Sequence, residues 1–166
     1  VLFYIPVLRE IILMMGCREA TRSTIVKLAL HKTSPCSVAI LPGGMYEQIC
    51  TRHDEERHYV QKRLGFVKLA LELGLPMLPM VGFGENQLFT THYKFGNNFR
   101  HWLLSTLSMG APFITGRFGC TLIPHPTQVT HVYGKAVKVA KTENPTEKQI
   151  EEAYGRYVAE VTRLFN

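Results

Sequence analysis

The stretch from Ser37 to Phe83 constrains the fold more than any other. It opens with a short apolar run, Ser37-Val-Ala-Ile-Leu41, that ends in Pro42-Gly43-Gly44. A helical stretch follows from Val60 to Leu73 and meets Gly74 at the expected C-terminal stop. A second apolar run occupies Leu75 to Phe83. A short apolar run entering a Pro-Gly turn reads as a buried strand. The apolar residues of the helical stretch, Leu64, Val67, Leu69, Ala70, Leu71 and Leu73, nearly surround it, so it needs cover on more than one side. Pro76 and Pro79 restrict the second run to a short ladder or a sheet edge. Strand, turn, helix and strand in this order predict an α/β layer with parallel pairing.

The flanking sequence extends that layer. Ile5 to Met15 has helical character with Pro6 suited to a first turn, and Thr24 to Leu30 predicts a second short helix. Thr51 to Tyr59, charged and rich in His, reads as an exposed loop. Arg100 to Leu107 predicts another helix, and Thr121–Ile123 and Val129–Val139 supply further strands. The clearest element closes the chain. Ile150, Ala153, Tyr154, Tyr157, Val158, Val161, Leu164 and Phe165 recur at three- and four-residue steps, the signature of a helix with one apolar stripe. Asn144-Pro-Thr-Glu147 ahead of it reads as a cap, a first-turn proline and a capping-box acid.

Composition narrows the class. With 166 residues, 46% hydrophobic and 19% charged, a single folded domain spanning residues 1–166 is expected rather than a disordered chain. The formal charge of +6 favours acidic partners, but Lys and Arg are spread along the chain with no run of five, so no nucleic-acid partner is expected. Cys17, Cys36, Cys50 and Cys120 form no C-x-x-C pair and read as free, mostly buried thiols of a reducing compartment. The apolar stretch Tyr4–Met15 is broken by Arg9 and Glu10 and is too short to span a bilayer, so the chain as written reads as soluble or peripheral.

Several chemistries fail on spacing. Gly82-Phe-Gly84-Glu-Asn-Gln87 begins like a dinucleotide fingerprint but lacks its third glycine, and no Walker A or Gly-x-Ser-x-Gly sequence occurs. His53 and His58 stand five apart, about 140° off one helical face, which is wrong for a metalloprotease helix.

Three clusters remain. The paired glycines Gly43 and Gly44 let backbone approach a ligand, with Glu47 in the turn beyond; an ordinary strand-to-helix turn is the alternative. Phe83-Gly84-Glu85-Asn86 ends the second apolar run. Ligands of α/β sheets gather beyond strand ends, so Glu47 and Glu85 are expected at one sheet edge; a loop with exposed acids is the alternative. In Gly116-Arg117-Phe118-Gly119, an Arg between glycines suits a phosphate or carboxylate clamp; a surface turn with a structural salt bridge is the alternative. Arg63 and Lys68, near the helix start, add positive charge.

Read in order, these clusters resemble the second diacylglycerol acyltransferase family, which includes monoacylglycerol and wax-alcohol acyltransferases. The matching segments are Pro6-Val-Leu-Arg-Glu10, Gly43-Gly44-x-x-Glu47, Arg63-x-Gly-Phe-Val-Lys-Leu-Ala-Leu71 and Pro79-x-x-x-Phe-Gly-Glu-Asn86. Gly116-Arg117, Leu122-Ile-Pro124, Asn144-Pro-Thr146 and Leu164-Phe165 complete the set. Each motif is weak alone; the ordered set covers essentially the whole chain.

The resemblance implies an α/β fold like that of the glycerolipid acyltransferases. It has a mixed sheet with flanking helices, and this chain would be its N-terminally truncated, C-terminal part. It implies O-acyl transfer from acyl-CoA, a substrate, to diacylglycerol or monoacylglycerol in triacylglycerol synthesis, with no metal or redox cofactor. A wax alcohol or a lysophospholipid is the alternative acceptor, and a non-catalytic lipid- or CoA-binding module the rival from another class. Such enzymes sit in the endoplasmic reticulum membrane and on lipid droplets, so membrane attachment is expected through a segment upstream of Pro6; homo-oligomer formation stays open.

The family's His-Pro-His-Gly, whose histidine would serve as general base, is expected upstream of Pro6-Val-Leu-Arg-Glu10. Neither it nor His-x-x-x-x-Asp occurs in this sequence, so no catalytic residue is assigned and the chain alone is expected to be inactive. The substrate-binding candidates are Gly43, Gly44, Glu47, Arg63, Gly65, Phe66, Phe83, Gly84, Glu85, Asn86, Gly116 and Arg117. Three departures bear on substrate choice: Tyr154 stands where many relatives carry His, Met14-Met15 replaces a glycine-richer stretch, and the segment from Arg117 to Pro124 is shortened.

Overall fold

The computed structural model describes residues 6–31, 36–44, 47, 52–53, 55, 63–92, 114–119 and 123–166. Four helices are described: α1 (Leu8–Met14), α2 (Arg22–Ala29), α3 (Gly65–Leu73) and α4 (Glu147–Phe165). The strands are β1 (Met80–Phe83), β2 (Thr90–Thr91), β3 (Ile114–Thr115) and β4 (Thr130–Tyr133). Short 3-10 turns follow β1 at Glu85–Gln87 and β3 at Arg117–Gly119.

Local chemistry sets the helix ends. The α2 start is capped by Thr21, whose Oγ1 accepts from the Thr24 amide at 3.3 Å. At the C-terminal end of α1, Arg18 donates to the carbonyl of Leu13 at 2.9 Å, which also accepts from the Gly16 amide, and to that of Cys17 at 2.8 Å. Gly74 closes α3 in the left-handed region at φ 69°, and the Leu75 amide donates back to Ala70 O. The α4 cap is Thr146, not Asn144. Its Oγ1 accepts from the Gln149 amide while the Gln149 side chain accepts from the Thr146 amide. This is a capping box built on Thr-x-x-Gln, so Gln149 takes the place expected of Glu147, which lies in the first turn.

The core joins two segments distant in sequence. Val67 and Leu71 of α3 pack with Met77, Val137 and with Ile150 and Ala153 of α4. Phe66, Ala70, Tyr154 and Tyr157 lie around them. Met77 and Val137 exchange both backbone hydrogen bonds, at 3.1 and 2.8 Å, just outside the strands proper. β1 then pairs antiparallel with β4 in the register Met80↔Tyr133, Val81↔Val132, Gly82↔His131 and Phe83↔Thr130. Val81 is buried, and Phe83 meets Phe165 of α4 with ring centroids 5.4 Å apart. The opposite face of this sheet leaves Met80 and Tyr133 exposed.

Helices with small sheets agree with a mixed α/β class, but both described sheets are two-stranded and antiparallel, β1 with β4 and β2 with β3. The expected parallel layer is therefore absent among the described residues. The Ser37–Leu41 run is exposed and forms no ladder among the described residues, so its apolar character alone does not make it a strand. In the second run the ladder proper starts at Met80, immediately after Pro79, and Met77 adds one isolated bridge to Val137. Of Val129–Val139, only Thr130–Tyr133 is strand; Val137 adds the isolated bridge. Cys17 and Cys36 are exposed rather than buried, because α1 and the run at 36–41 lie at the surface. Arg100–Leu107 and Thr121–Leu122 fall outside the described residues, as do residues 60–62 of the helix expected from Val60. Among the described residues, no helix is long and apolar enough to cross a membrane.

Candidate functional site

Two segments separated in sequence meet at the paired glycines. Gly43 is buried, and a Cβ there would overlap the Glu47 carboxylate, which folds back over its backbone. A Cβ on Gly44 would stand 2.7 Å from Nη1 of Arg63, and Gly44 itself is left-handed at φ 59°. The two glycines thus do different jobs: one makes room for a carboxylate, the other for a guanidinium. Arg63 lies just before α3, and three residues on Phe66 turns its ring against Tyr157 of α4, edge-on at 5.1 Å and 69°. Tyr157 is half-buried. Burial pushes its phenol up, and the negative charge of Glu47 adds to the shift. Gly43, Gly44, Glu47 and Arg63 form one cluster, and Phe66 and Tyr157 meet beside the core. Gly65 begins α3, is exposed, and has open space where a Cβ would go.

Glu85 belongs to a second cluster at the end of β1. Gly84 is left-handed at φ 83°, which turns the chain so that Glu85 folds back over Gly82. A Cβ on Gly82 would overlap the Glu85 carboxylate and come 3.2 Å from Nδ1 of His131, the residue opposite in the ladder. His131 Nδ1 lies 3.6 Å from Glu85 Oε1, an exposed pairing that carries charge when the imidazole is protonated. Asn86 reaches the other way: its Nδ2 donates to the Glu55 carbonyl at 2.7 Å. Nδ1 of His53 lies 3.3 Å from the carbonyls of both Asn86 and Phe89, so that nitrogen carries the proton. His53 is half-buried rather than part of a solvated loop. Nearby, His125 contacts Thr90 Oγ1 through Nε2 at 3.3 Å, with its ring 6.3 Å from that of His53. Among the described residues, no group of three or more His, Cys, Asp or Glu is placed to hold a metal ion.

Arg117 stands apart from both clusters in its contacts. The strand β3 ends at buried Gly116, and the Arg117 amide donates to Ile123 O at 2.8 Å. Its guanidinium lies 4.9 Å from the ring of Phe118, itself left-handed at φ 58° and 85% exposed. Among the described residues no carboxylate pairs with Arg117, so nothing there supports the salt-bridge reading of this turn. A shallow groove of about 780 Å³, lined by Thr21, Arg22, Ser23, Val26, Lys27 and Leu73, shares no residue with either cluster.

A family model described as diacylglycerol acyltransferase matches residues 1–166. The chain belongs to this family. Human acyl-CoA wax alcohol acyltransferase 2 is 29% identical over 99% of this chain and 52% of its own length. Human 2-acylglycerol O-acyltransferase 3 is 31% identical over 99% of this chain and 51% of its own. Diacylglycerol O-acyltransferase 2 of Xenopus tropicalis is 30% identical, over 99% and 48%. The chain thus spans about half the length of these curated relatives. No solved structure matches it.

Within this member of the diacylglycerol acyltransferase family, the motifs sort by place. The Gly-Gly-x-x-Glu and Arg-x-Gly-Phe segments close into one cluster, Phe-Gly-Glu-Asn builds another, and Gly-Arg a third. A shared sheet edge for Glu47 and Glu85 requires a strand at Ser37–Leu41, and that run forms no ladder among the described residues. Sequence reasoning also missed His53 and His131. The histidines carry no motif spacing; only the fold brings them to these places.

Proposed function

We propose that this chain serves acyl-CoA-dependent O-acyl transfer to the hydroxyl of diacylglycerol or monoacylglycerol, in triacylglycerol synthesis. One observation carries the reading. Residues from two separate family motifs, Gly43, Gly44 and Glu47 on one side and Arg63 on the other, close around Cβ-free backbone. In this reading, Arg63 and Arg117 meet the anionic oxygens of coenzyme A, since guanidinium groups match phosphate geometry. Glu47 accepts from the acceptor's hydroxyl and holds it toward the thioester. The reaction joins that hydroxyl oxygen to the acyl carbon and releases the coenzyme A thiol. Work of this kind is positioning, which converts an encounter into a near-intramolecular step.

The 166 residues contain no His-Pro-His-Gly, so this reading gives them the binding share of the chemistry and no turnover alone. A long-chain alcohol is the second acceptor, favoured by the likeness to a wax alcohol acyltransferase. The place of action is the endoplasmic reticulum membrane and the lipid droplet. The test is a chimera in which residues 1–166 replace the matching half of human 2-acylglycerol O-acyltransferase 3. It is assayed with labelled acyl-CoA and with diacylglycerol, monoacylglycerol or hexadecanol. Transfer by the chimera that is lost in Glu47→Gln and Arg63→Ala supports the reading. Full transfer by both variants, or turnover by the isolated chain, refutes it.

A further inference from the structure

The sheet of β1 and β4 has one face on the core and one bare face. Met77, Pro79 and Val81 are buried, whereas Leu78 and Met80 between them are 55% and 43% exposed. Tyr133, paired with Met80, adds a third large side chain to the bare face, 63% exposed. Polar groups stand only at the Gly82 end, where Glu85 folds over the backbone with His131 3.6 Å from its carboxylate. An antiparallel strand with one face in water alternates apolar with polar side chains. Burial does alternate strictly from Pro76 to Val81, but Leu75 to Phe83 carries no polar side chain at all. A strand of that composition suits cover on both faces, and an apolar patch rimmed by polar groups marks an interaction surface.

Length indicates what supplies the cover. The three relatives named above match 99% of this chain and carry about as much chain again outside the match. We propose that the bare face of β1 and β4 docks the half of a family acyltransferase that these 166 residues do not represent. The contact is an amphipathic segment of that half laid on Leu78, Met80 and Tyr133. The inference uses family membership and does not rest on the acyl-transfer reading. The face sets the chemistry of its partner. Leu78 and Met80 call for apolar side chains at the centre, and Tyr133 offers a hydroxyl at the margin. Glu85 at the rim repels a facing carboxylate and favours a basic side chain there. Docking in this place puts the Phe-Gly-Glu-Asn motif at the seam between the two halves.

The experiment compares the chimera with human 2-acylglycerol O-acyltransferase 3, described above, with the isolated chain. Hydroxyl-radical footprinting by mass spectrometry reads Met80 and Tyr133 directly, with buried Met77 as the internal reference. The chimera is held in phosphatidylcholine vesicles, and the isolated chain is measured with and without them. Met80 and Tyr133 should be modified in the isolated chain and lose most of that modification in the chimera. A second arm uses Leu78→Asp. It should leave the melting temperature of the isolated chain within about 2 °C, because the position is exposed. The same change should lower that of the chimera by several degrees, because the carboxylate is then buried against apolar groups. Equal modification in both proteins overturns the proposal, as does a Leu78→Asp chimera that melts like the unaltered one. Protection of the isolated chain by vesicles, or by raising its concentration, assigns the face to lipid or to a second copy and overturns it too. An isolated chain that Leu78→Asp unfolds, or a chimera that does not fold, counts equally against it. A protected chimera without acyl transfer fails the proposed function alone.

Discussion

Two glycines in β1 and just beyond it predict opposite outcomes for the same substitution. Gly84 is left-handed at φ 83°, and an added Cβ overlaps the carbonyl oxygen of Gln128, a backbone atom. Gly82 has ordinary strand geometry; a Cβ there meets side-chain atoms of Glu85 and His131, both exposed. Gly84→Ala therefore incurs a left-handed penalty of about 1–2 kcal/mol. Displacing backbone adds overpacking of about 1–2 kcal/mol. The sum, about 3 kcal/mol, lowers Tm by roughly 6–12 °C in a domain of this size. Gly82→Ala should stay within about 1 kcal/mol, because the Glu85 carboxylate and the imidazole swing into solvent. Thermal unfolding by circular dichroism on both variants reads the difference, and amide exchange at Val81 and Val132 locates it. A Gly84→Ala protein as stable as the unaltered chain, or less affected than Gly82→Ala, refutes the assignment of these glycines.

Glu160 supplies a pH signature. It accepts from Arg163 at 2.6 and 3.0 Å and from the Lys135 amide at 2.6 Å, and these hydrogen bonds hold its carboxyl at about 2, below the ordinary 4.5. Its folded value is lowered, so its stabilisation is full above about pH 4.5 and is lost as pH falls toward 2. Melting curves of Glu160→Gln and the unaltered chain should differ above pH 5 and converge near pH 2; a constant gap contradicts the role. Thr146→Ala removes the capping box of α4 and should cost about 1 kcal/mol in denaturant unfolding, whereas Asn144→Ala should cost far less. Arg117→Ala should leave Tm nearly unchanged, since its side chain pairs with no carboxylate among the described residues, while weakening acyl-CoA binding. A lower Tm with intact binding would return this residue to a purely structural role.

Legibility followed the range of the interactions involved. The α4 stripe was readable because burial on one helical face repeats every three or four residues. Ile150, Ala153 and Val161 are indeed its buried positions. Gly74 was readable as a stop because a left-handed residue strongly favours glycine. Pairing was not: nothing local in Met80–Phe83 shows that its partner is Thr130–Tyr133, or that the two run antiparallel. The exposed Ser37–Leu41 run misled for the same reason, since an apolar run becomes a strand only with a partner. At the site, Gly43, Gly44 and Glu47 were visible as a motif. The approach of Arg63 to Gly44 joins segments separated in sequence, which no local pattern shows.

The core's construction from Leu64–Phe83 and Val129–Phe165 has a consequence for what lies between them. Of the described residues from Gly84 to Gln128, none belongs to the cluster of Val67, Leu71, Met77, Val137, Ile150 and Ala153. The entropy of closing a connection grows only with the logarithm of its length, about 0.6 kcal/mol for each doubling. A change of length near Arg117 or His125 therefore costs little in a core whose contacts are made elsewhere.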